Sequence, residues 1–373
     1  MTWILDEQRR MLRDSAQSFL GERAPVGQLR KLRDNADPQG YSPELWLAFA
    51  EQGYSAVLVP EAHGGLGLGV AEAGLIAEQI GHTLVPTPFF STAVLAAWLL
   101  KAAGTAAQQQ TWLPRIAEAK CIVALAVDER SRHRASQLDT QAVREGGSWR
   151  IDGSKLLVLD GHVAQAVIVA ARSAEGVVLL LVPADTQGLA IERTVMVDAH
   201  NAARVALKGV KVGEDALIGT VQTGAKLLEQ VLDVGRVVAA AELLGLADEV
   251  FERTTRYLKE RKQFDRLIGE FQALQHRAAE LFCDLELTRA IVRQALQAVD
   301  DGAADVALRV AQAKGRASLT ANRAVQEGVQ MHGGIGMTDE LDMGLFMKRA
   351  RVLQELFGDA MVQMDRVAVM SGY

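Results

Sequence analysis

RYLKERKQFDRLIGEFQALQ (Arg256–Gln275) and VQMHGGIGMTDELDMGLFMKRARVLQELFGD (Val329–Asp359) are the two segments on which the reading of this chain turns. Both sit at the ends of long helical patterns, Ala225 to Lys259, Gly269 to Asp300 and Ala303 to Met331, where apolar residues recur at helical spacing. The first places Arg261 and Phe264 just past a helix, with Gln263 between them and Gln272 downstream. A guanidinium is a planar fork that matches phosphate oxygens. The second places Gln330 ahead of Gly333 and Gly334, and glycines without a Cβ let backbone come close to a ligand. Taken singly, Arg261 reads as half of a surface ion pair and HGGIG as a loop at a helix end.

Working outward toward the N-terminus, helical periodicity gives way between Lys120 and Thr223 to short β-branched runs: Cys121–Val127, Trp149–Ile151, Val163–Ala170 and Val177–Val182. Asp152-Gly153 and Asp160-Gly161 supply hairpin-turn chemistry between them. Before Lys120 the pattern is helical again. Leu5 to Arg33 reads as one amphipathic helix, and Ser42-Pro43-Glu44 as an N-cap with proline at the first helical position. Val70–Gly81 and Thr92–Gly104 read as helices stopped by glycine. The glycine run at Gly65, Gly67 and Gly69 lacks the strand-to-helix context of a dinucleotide fingerprint and the lysine of a P-loop, so it reads as a turn.

With 40 basic and 46 acidic residues the net charge is -6, which gives no sign of a nucleic-acid surface, since that needs a clustered basic excess. An apolar share of 49% and a charged share of 23% are those of a globular chain rather than a disordered one. The opening MTWILDEQRRMLRD has no signal-peptide pattern, which points to the cytoplasm. Thr83 to Leu100 is free of charge but is broken by Pro86 and Pro88, so it reads as a loop and a buried helix rather than a membrane span. Cys121 and Cys283 stand far apart with no metal-ligand spacing, and read as two buried thiols; no metal site is indicated.

Jointly, the two opening segments resemble the C-terminal helical domain of the acyl-CoA dehydrogenase family, and the order helices, sheet, helices resembles that family over nearly the whole chain. The resemblance implies an α+β fold with an N-terminal helical domain (1–119), a middle β-barrel-like domain (120–221) and a C-terminal four-helix bundle (222–373). It implies FAD as cofactor, an acyl-CoA ester as substrate, electron-transfer flavoprotein as electron acceptor, and an oligomer. In the family, residues at the positions of Arg261, Gln263, Phe264, Gln272, Gln330, Gly333 and Gly334 grip the adenine and pyrophosphate end of a flavin bound mainly by a neighbouring subunit. Arg236, on the helix that opens the last domain, is placed to reach a CoA-ester group or an acid.

The same resemblance shows what has changed. The family abstracts the substrate α-proton with a glutamate that precedes a glycine in the last domain, and here that position is Phe357, before Gly358. A second branch places the glutamate just before the arginine corresponding to Arg236, and here that position is Gly235. Glu355 and Asp359 lie two residues from Phe357, a rotation of about 200° on a helix, and Glu242 lies on the opening helix. Asp359 follows Gly358, where helical geometry can end, which makes it the better substitute. No catalytic residue is assigned.

The family's flavin-facing loop, Thr-Glu-Pro-Gly-x-Gly-Ser-Asp, becomes VDERSRHRASQLD (Val127–Asp139), and its Lys-x-Trp-Ile-Thr strand becomes Lys155-Leu156-Leu157-Val158-Leu159. Arg130, Arg132, His133 and Arg134 replace small residues, and read as a solvated polar loop on a degenerate site. The groups offered to a neighbour are kept while those for the chain's own flavin ring and base are altered. That implies the non-base-bearing subunit of an α2β2 acyl-CoA dehydrogenase, of the type associated with steroid side chains or other bulky or dicarboxylic acyl-CoA esters. Two alternatives stand beside it: a homotetramer using a displaced base such as Asp359, and a flavin-free scaffold.

Overall fold

The computed structural model describes residues 5–135 and 137–373. In chain order the helices are α1 (Glu7–Arg23), α2 (Val26–Asp34), α3 (Pro43–Glu51), α4 (Val70–Thr83), α5 (Ala97–Ala103) and α6 (Ala106–Ala117). Strands β1 (Val123–Ala126), β2 (Gln141–Glu145), β3 (Ser148–Leu159), β4 (Ala166–Ser173), β5 (Gly176–Pro183), β6 (Leu189–Val195), β7 (Asn201–Gly213) and β8 (Leu217–Ile218) follow. Then come α7 (Gly224–Glu260), the short strands β9 (Lys262–Gln263) and β10 (Arg266–Leu267), α8 (Gln272–Asp300), α9 (Val306–His332), α10 (Met343–Glu355) and α11 (Ala360–Met370). The chain divides into a helical unit (1–31, 74–85 and 236–373) and a sheet unit (32–73 and 86–235). Among the described residues no helix is long and apolar enough to cross a membrane.

The single helix expected over Leu5–Arg33 is two. Pro25 offers no N–H and crowds the residue before it, and Ala24 leaves helical space at φ −138°, ψ 48°. Asp6 caps α1 by accepting from the Arg9 N–H at 2.8 Å. The helix expected from Thr92 begins earlier, as a π-helical stretch over Phe89–Ala96 that passes into α5, and α6 was not expected at all. All eight residues of the π stretch are buried. Their hydroxyls are satisfied: Ser91 Oγ donates to Asp160 Oδ2 at 2.6 Å and Thr92 Oγ1 to the Val123 carbonyl at 3.2 Å.

In the sheet unit the strand order is β6-β7-β3-β2-β4-β5-β8, with β1 parallel to β4. The four expected runs overlap β1, β3, β4 and β5; β2, β6 and β7 escaped because their exposed faces carry charges that break up the apolar signal. Asp152-Gly153 is not a hairpin turn. It lies inside β3 at a break in register, where Asp152 Oδ1 accepts from the Gly209 N–H at 2.7 Å. The β2–β3 hairpin instead turns at Gly146-Gly147, both with positive φ (55° and 86°), as a two-residue loop requires. Asp160 (φ 54°) does open the turn that leaves β3. Trp149, Ile151, Val167, Val169, Leu180 and Val205 fill the interior behind these strands.

In the helical unit the three long helices match their expected spans closely. Where α4 meets α7, Gly245 and Gly81 let the two backbones touch. A Cβ on Gly245 would lie 1.8 Å from the Glu78 carbonyl oxygen, and one on Gly81 2.2 Å from that of Glu242. Both obstacles are backbone atoms that cannot rotate away. Gly245→Ala is therefore expected to cost about 1–3 kcal/mol of overpacking or more, read as a lowered urea midpoint; an unchanged midpoint would contradict this crossing.

The two thiols differ. Cys121 is buried, and burial pushes its pKa up to about 11. Cys283 is exposed, correcting the expectation of two buried thiols: it falls on the solvent side of α8 between Phe282 and Asp284.

Candidate functional site

Arg261 and Phe264 lie where α7 gives way to a hairpin. The strands β9 and β10 pair Gln263 with Arg266, leaving Phe264 (φ 54°) and Asp265 (φ 61°) as a two-residue turn with both residues left-handed. Glycine or asparagine usually fills such positions, so an aromatic there is held at a cost. Phe264 is 85% exposed at the tip, edge-on to Phe271 with centroids 6.1 Å apart, and the Arg266 guanidinium lies 4.0 Å over the Phe271 ring. The Arg261 backbone is fixed by Arg261 N–H to Tyr257 O and Ile268 N–H to Arg261 O, both 2.9 Å. Its side chain is exposed and makes no ion pair among the described residues. Gln263 and Gln272 are exposed as well.

The glycine pair reaches the same end of the bundle. Tyr257, one turn before Arg261, stacks on His332, one residue before Gly333, with ring centroids 4.4 Å apart. His332 Nδ1 lies 2.7 Å from the Gly328 carbonyl oxygen and donates to it, and burial lowers the pKa of the ring. Beyond that stack, Gln330, Gly333 and Gly334 are exposed, and a Cβ built on either glycine meets nothing within 4 Å. The result is an open rim of guanidinium, amide and backbone donors with an aromatic at its edge. Such a set fits a pyrophosphate and a flat ring system.

The turn that would carry a base is closed. Helix α10 ends at Glu355, and Phe357 (φ 57°) and Gly358 (φ 103°) reverse the chain before α11. Phe357 is 6% exposed. Its carbonyl accepts from Arg236 Nε and Gln363 Nε2, both at 3.0 Å. Lys314, wholly buried, donates to the carbonyls of Gln354 (2.9 Å) and Gly358 (3.4 Å). Burial, reinforced by the charge of Arg236, pushes the Lys314 pKa down to about 7. Arg236 is itself 3% exposed, and its Nε donates to the protein's own turn.

The three candidate acids are engaged. Asp359 Oδ1 accepts from the Val362 N–H at 2.9 Å and caps α11. Glu355 pairs with Arg351 at 2.8 Å one helical turn away. Glu242, 2% exposed, accepts from Arg349 Nη2 at 2.6 Å. Lys314 went unnoticed in the sequence, although a lone lysine in the alanine-rich stretch of α9 was a usable signal.

In the sheet unit, the Val127–Asp139 segment is less solvated than its sequence suggests. Glu129 and Lys155 form a buried pair at 2.7 Å, and Lys155 Nζ also donates to the Val127 carbonyl at 3.1 Å. Burial lowers the Lys155 pKa; burial also disfavours the Glu129 carboxylate, but bonds from Lys155, Thr140 and Asp139 outweigh it and leave its pKa low. The N–H groups of Asp139 and Thr140 donate to Glu129, and Leu156 N–H to the Asp128 carbonyl at 2.7 Å. His133, expected in solvent, has a side chain only 6% exposed, with Nδ1 2.7 Å from Asp128 Oδ1. Arg130 is 45% exposed and bridges to Asp139 at 2.6 Å, in keeping with a solvated arginine. These side-chain bonds absorb loop donors that glycines would have left open.

Models of known families match the chain at both ends: the acyl-CoA dehydrogenase N-terminal domain over residues 6–120 and the acyl-CoA dehydrogenase C-terminal domain over 222–370. The chain is 30% identical to the acyl-CoA dehydrogenase IpdE2 of Mycobacterium tuberculosis over 345 residues, 92% of this chain and 91% of that one. It is 29% identical to the acyl-CoA dehydrogenase FadE12 of the same organism over 367 residues, 94% of this chain and 92% of the relative. Among solved structures, a variant of the Tcur3481-Tcur3483 steroid ACAD superposes with a TM-score of 0.90 at 29% identity, covering 98% of each chain. The ChsE4-ChsE5 complex of Mycobacterium tuberculosis superposes with a TM-score of 0.92 at 25% identity, covering 100% of each chain. The chain belongs to the acyl-CoA dehydrogenase family. Its class of activity is that of an FAD-dependent oxidoreductase acting on acyl-CoA.

Proposed function

We propose that this chain is the non-base-bearing subunit of a heteromeric acyl-CoA dehydrogenase, and that it offers Arg261, Gln263, Phe264, Gln272, Gln330, Gly333 and Gly334 to the adenine and pyrophosphate end of an FAD whose ring is held by a partner subunit. The observation that carries this reading is an asymmetry. The rim around Arg261 and Gly333 is open and the Arg261 side chain is uncommitted, whereas position 357 is a buried phenylalanine and the 127–139 loop spends donors on itself. The ChsE4-ChsE5 likeness supports a two-chain arrangement.

In this assembly FAD supplies the acceptor for the substrate β-hydride, and electron-transfer flavoprotein takes the electrons onward. This chain's part is to hold and orient. The Arg261 guanidinium would donate to phosphate oxygens, the glycine pair would leave its backbone accessible to them, and the exposed Phe264 ring would cover one edge of the cofactor. The Arg236–Phe357 turn keeps its backbone closed, and Arg236 serves that turn before any substrate. Proton abstraction falls to a carboxylate on the partner. A homotetramer using Asp359 fits less well, because that carboxylate is committed to capping α11.

Flavin absorbance per chain tests the reading. The protein purified alone is expected to carry little flavin, and its complex with a glutamate-bearing partner about one FAD per two chains. One FAD per chain in the lone protein would overturn it.

A further inference from the structure

A surface helix ordinarily turns charged side chains toward water, and α9 does not. Its exposed residues are Gln312, Leu319, Asn322, Gln326 and Gln330, and none of them is an acid, a lysine or an arginine. They follow one another at steps of seven, three, four and four, so they form one ridge along the helix. The neighbouring α8, which runs alongside in the opposite direction, has a matching ridge. Gln272, His276, Ala279, Cys283 and Leu287 are exposed at steps of four and three, on the side turned away from the buried Leu281, Leu285 and Thr288.

Between the two ridges the charges cancel. Arg277 pairs with Glu327 at 2.6 Å, Arg323 with Glu280 at 2.5 Å and with Asp284 at 2.6 Å, and Arg316 with Asp284 at 2.6 Å. Each of these bonds joins α8 to α9. Glu286, on the flank of α8, is taken up by Arg289 at 3.2 Å. Leu287 and Leu319, 58% and 42% exposed, each stand one residue before the Thr288–Thr320 hydroxyl pair (2.8 Å) that ties the helices together. Two charge-free ridges with apolar residues side by side have the composition of an interface core rather than of a solvated surface.

The face also has a direction. Gln272 and Gln330 stand at the same end of the two ridges, and both belong to the set offered to the cofactor. At 1.5 Å per residue the ridges run about 22 and 27 Å, and two helices each about 10 Å across make the face roughly 20 Å wide. That is on the order of 500 Å², more than half of the roughly 800 Å² per partner of a standard interface, and the rim around Arg261 lies ready to extend it.

We propose that the outer face of α8 and α9 seats the subunit that holds the flavin ring, meeting an equally uncharged face of that subunit. This rests on the reading given under Proposed function, because a cofactor gripped at Gln272 and Gln330 brings its holder to the same two helices.

Cys283 supplies the test, since it lies on the α8 ridge and is exposed while Cys121 is buried. Its alkylation by N-ethylmaleimide, resolved by peptide mass spectrometry, is followed in the full chain alone and in its complex with the glutamate-bearing partner, with flavin absorbance read on the same samples. Labelling is expected to be at least tenfold slower in the complex. Leu287→Asp and Leu319→Asp are each expected to weaken the complex at least tenfold, read by light scattering on dilution, and to leave the urea midpoint of the lone chain unchanged. Unslowed labelling in a complex that carries one FAD per two chains would overturn this proposal and leave the subunit reading standing, as would native affinity in both variants. Protected Cys283 in a lone chain that scatters as a dimer would give the face to a second copy and overturn it too. One FAD per chain in the lone protein would remove the subunit reading and this proposal with it. Labelling decides the matter should either aspartate variant fold poorly.

Discussion

The unfolding free energy of the native chain, measured relative to Lys314→Met, is expected to rise by about 1.4 kcal/mol per pH unit above pH 7. The sign follows from where the proton sits. Lys314 is wholly buried, and burial, then the charge of Arg236, lowers its pKa from 10.5 to about 7, against the partial support of Glu355 and Asp359. Below pH 7 the amine is charged in both folded and unfolded chains, and the folded state bears the full desolvation penalty. Between 7 and 10.5 the unfolded chain still binds a proton that the folded chain has released, so raising the pH favours folding. Two pH units correspond to about 3 kcal/mol, a large share of a typical domain's stability. Urea unfolding of both proteins at pH 6.5, 7.5, 8.5 and 9.5 reads the difference directly, and other titrating groups cancel between them. A difference that stays flat across that range would mean that Lys314 remains charged on its carbonyl ligands.

That prediction concerns a turn with an unusual composition. Lys314 and Arg236 together bind the carbonyls of Gln354, Phe357 and Gly358, and Gln363 Nε2 adds bonds to the last two. A non-glycine residue at φ 57° is strained, and Phe357 is kept there by the buried donors on its own carbonyl and on those of Gln354 and Gly358. At the position where the family resemblance expects a proton-abstracting carboxylate, this chain has a buried apolar residue, 6% exposed. Two buried cations facing carbonyls is a conformational anchor, which is a different use of the position from acid–base chemistry.

Much of this was legible beforehand. The long helices α7, α8 and α9 declare themselves because a 3.6-residue apolar period over some thirty positions is hard to imitate by chance. Arg261, Phe264 and the pair Gly333-Gly334 were singled out by the family resemblance rather than by periodicity, and each follows directly on a strong helix end. Single-residue events were not legible. One proline split the first helix at Ala24, and an Asp-Gly pair that looks like a turn became a break in register inside β3, because its carboxylate found the Gly209 N–H across the sheet. The buried pairs Glu129–Lys155 and Glu242–Arg349 join residues 26 and 107 positions apart, and no local pattern announces such partners. Asp359 was correctly placed beyond the helix end, but its role as the cap of α11 depends on the Gly358 reversal that only the folded backbone shows.

Arg261→Ala is expected to lower the affinity of the two-subunit complex for FAD by about 10- to 100-fold, as the loss of a charge-assisted phosphate contact of about 1.5–3 kcal/mol implies. The same substitution is expected to leave the unfolding free energy of the isolated chain within about 0.5 kcal/mol of native, because the side chain is exposed and has no ion-pair partner to lose among the described residues. These two readouts separate the roles that an arginine at a helix end can play. An arginine in a structural ion pair would move stability and not flavin; one that serves a cofactor held across an interface moves flavin and not stability. The neighbouring stack makes the contrast sharper, since Tyr257 on the buried His332 packs beside the rim while the Arg261 side chain is exposed. The measurement is flavin release from the complex on dilution, followed by absorbance and fluorescence, beside urea unfolding of the lone variant. Full flavin retention would remove Arg261 from the grip and with it the main support for a cofactor shared between two chains.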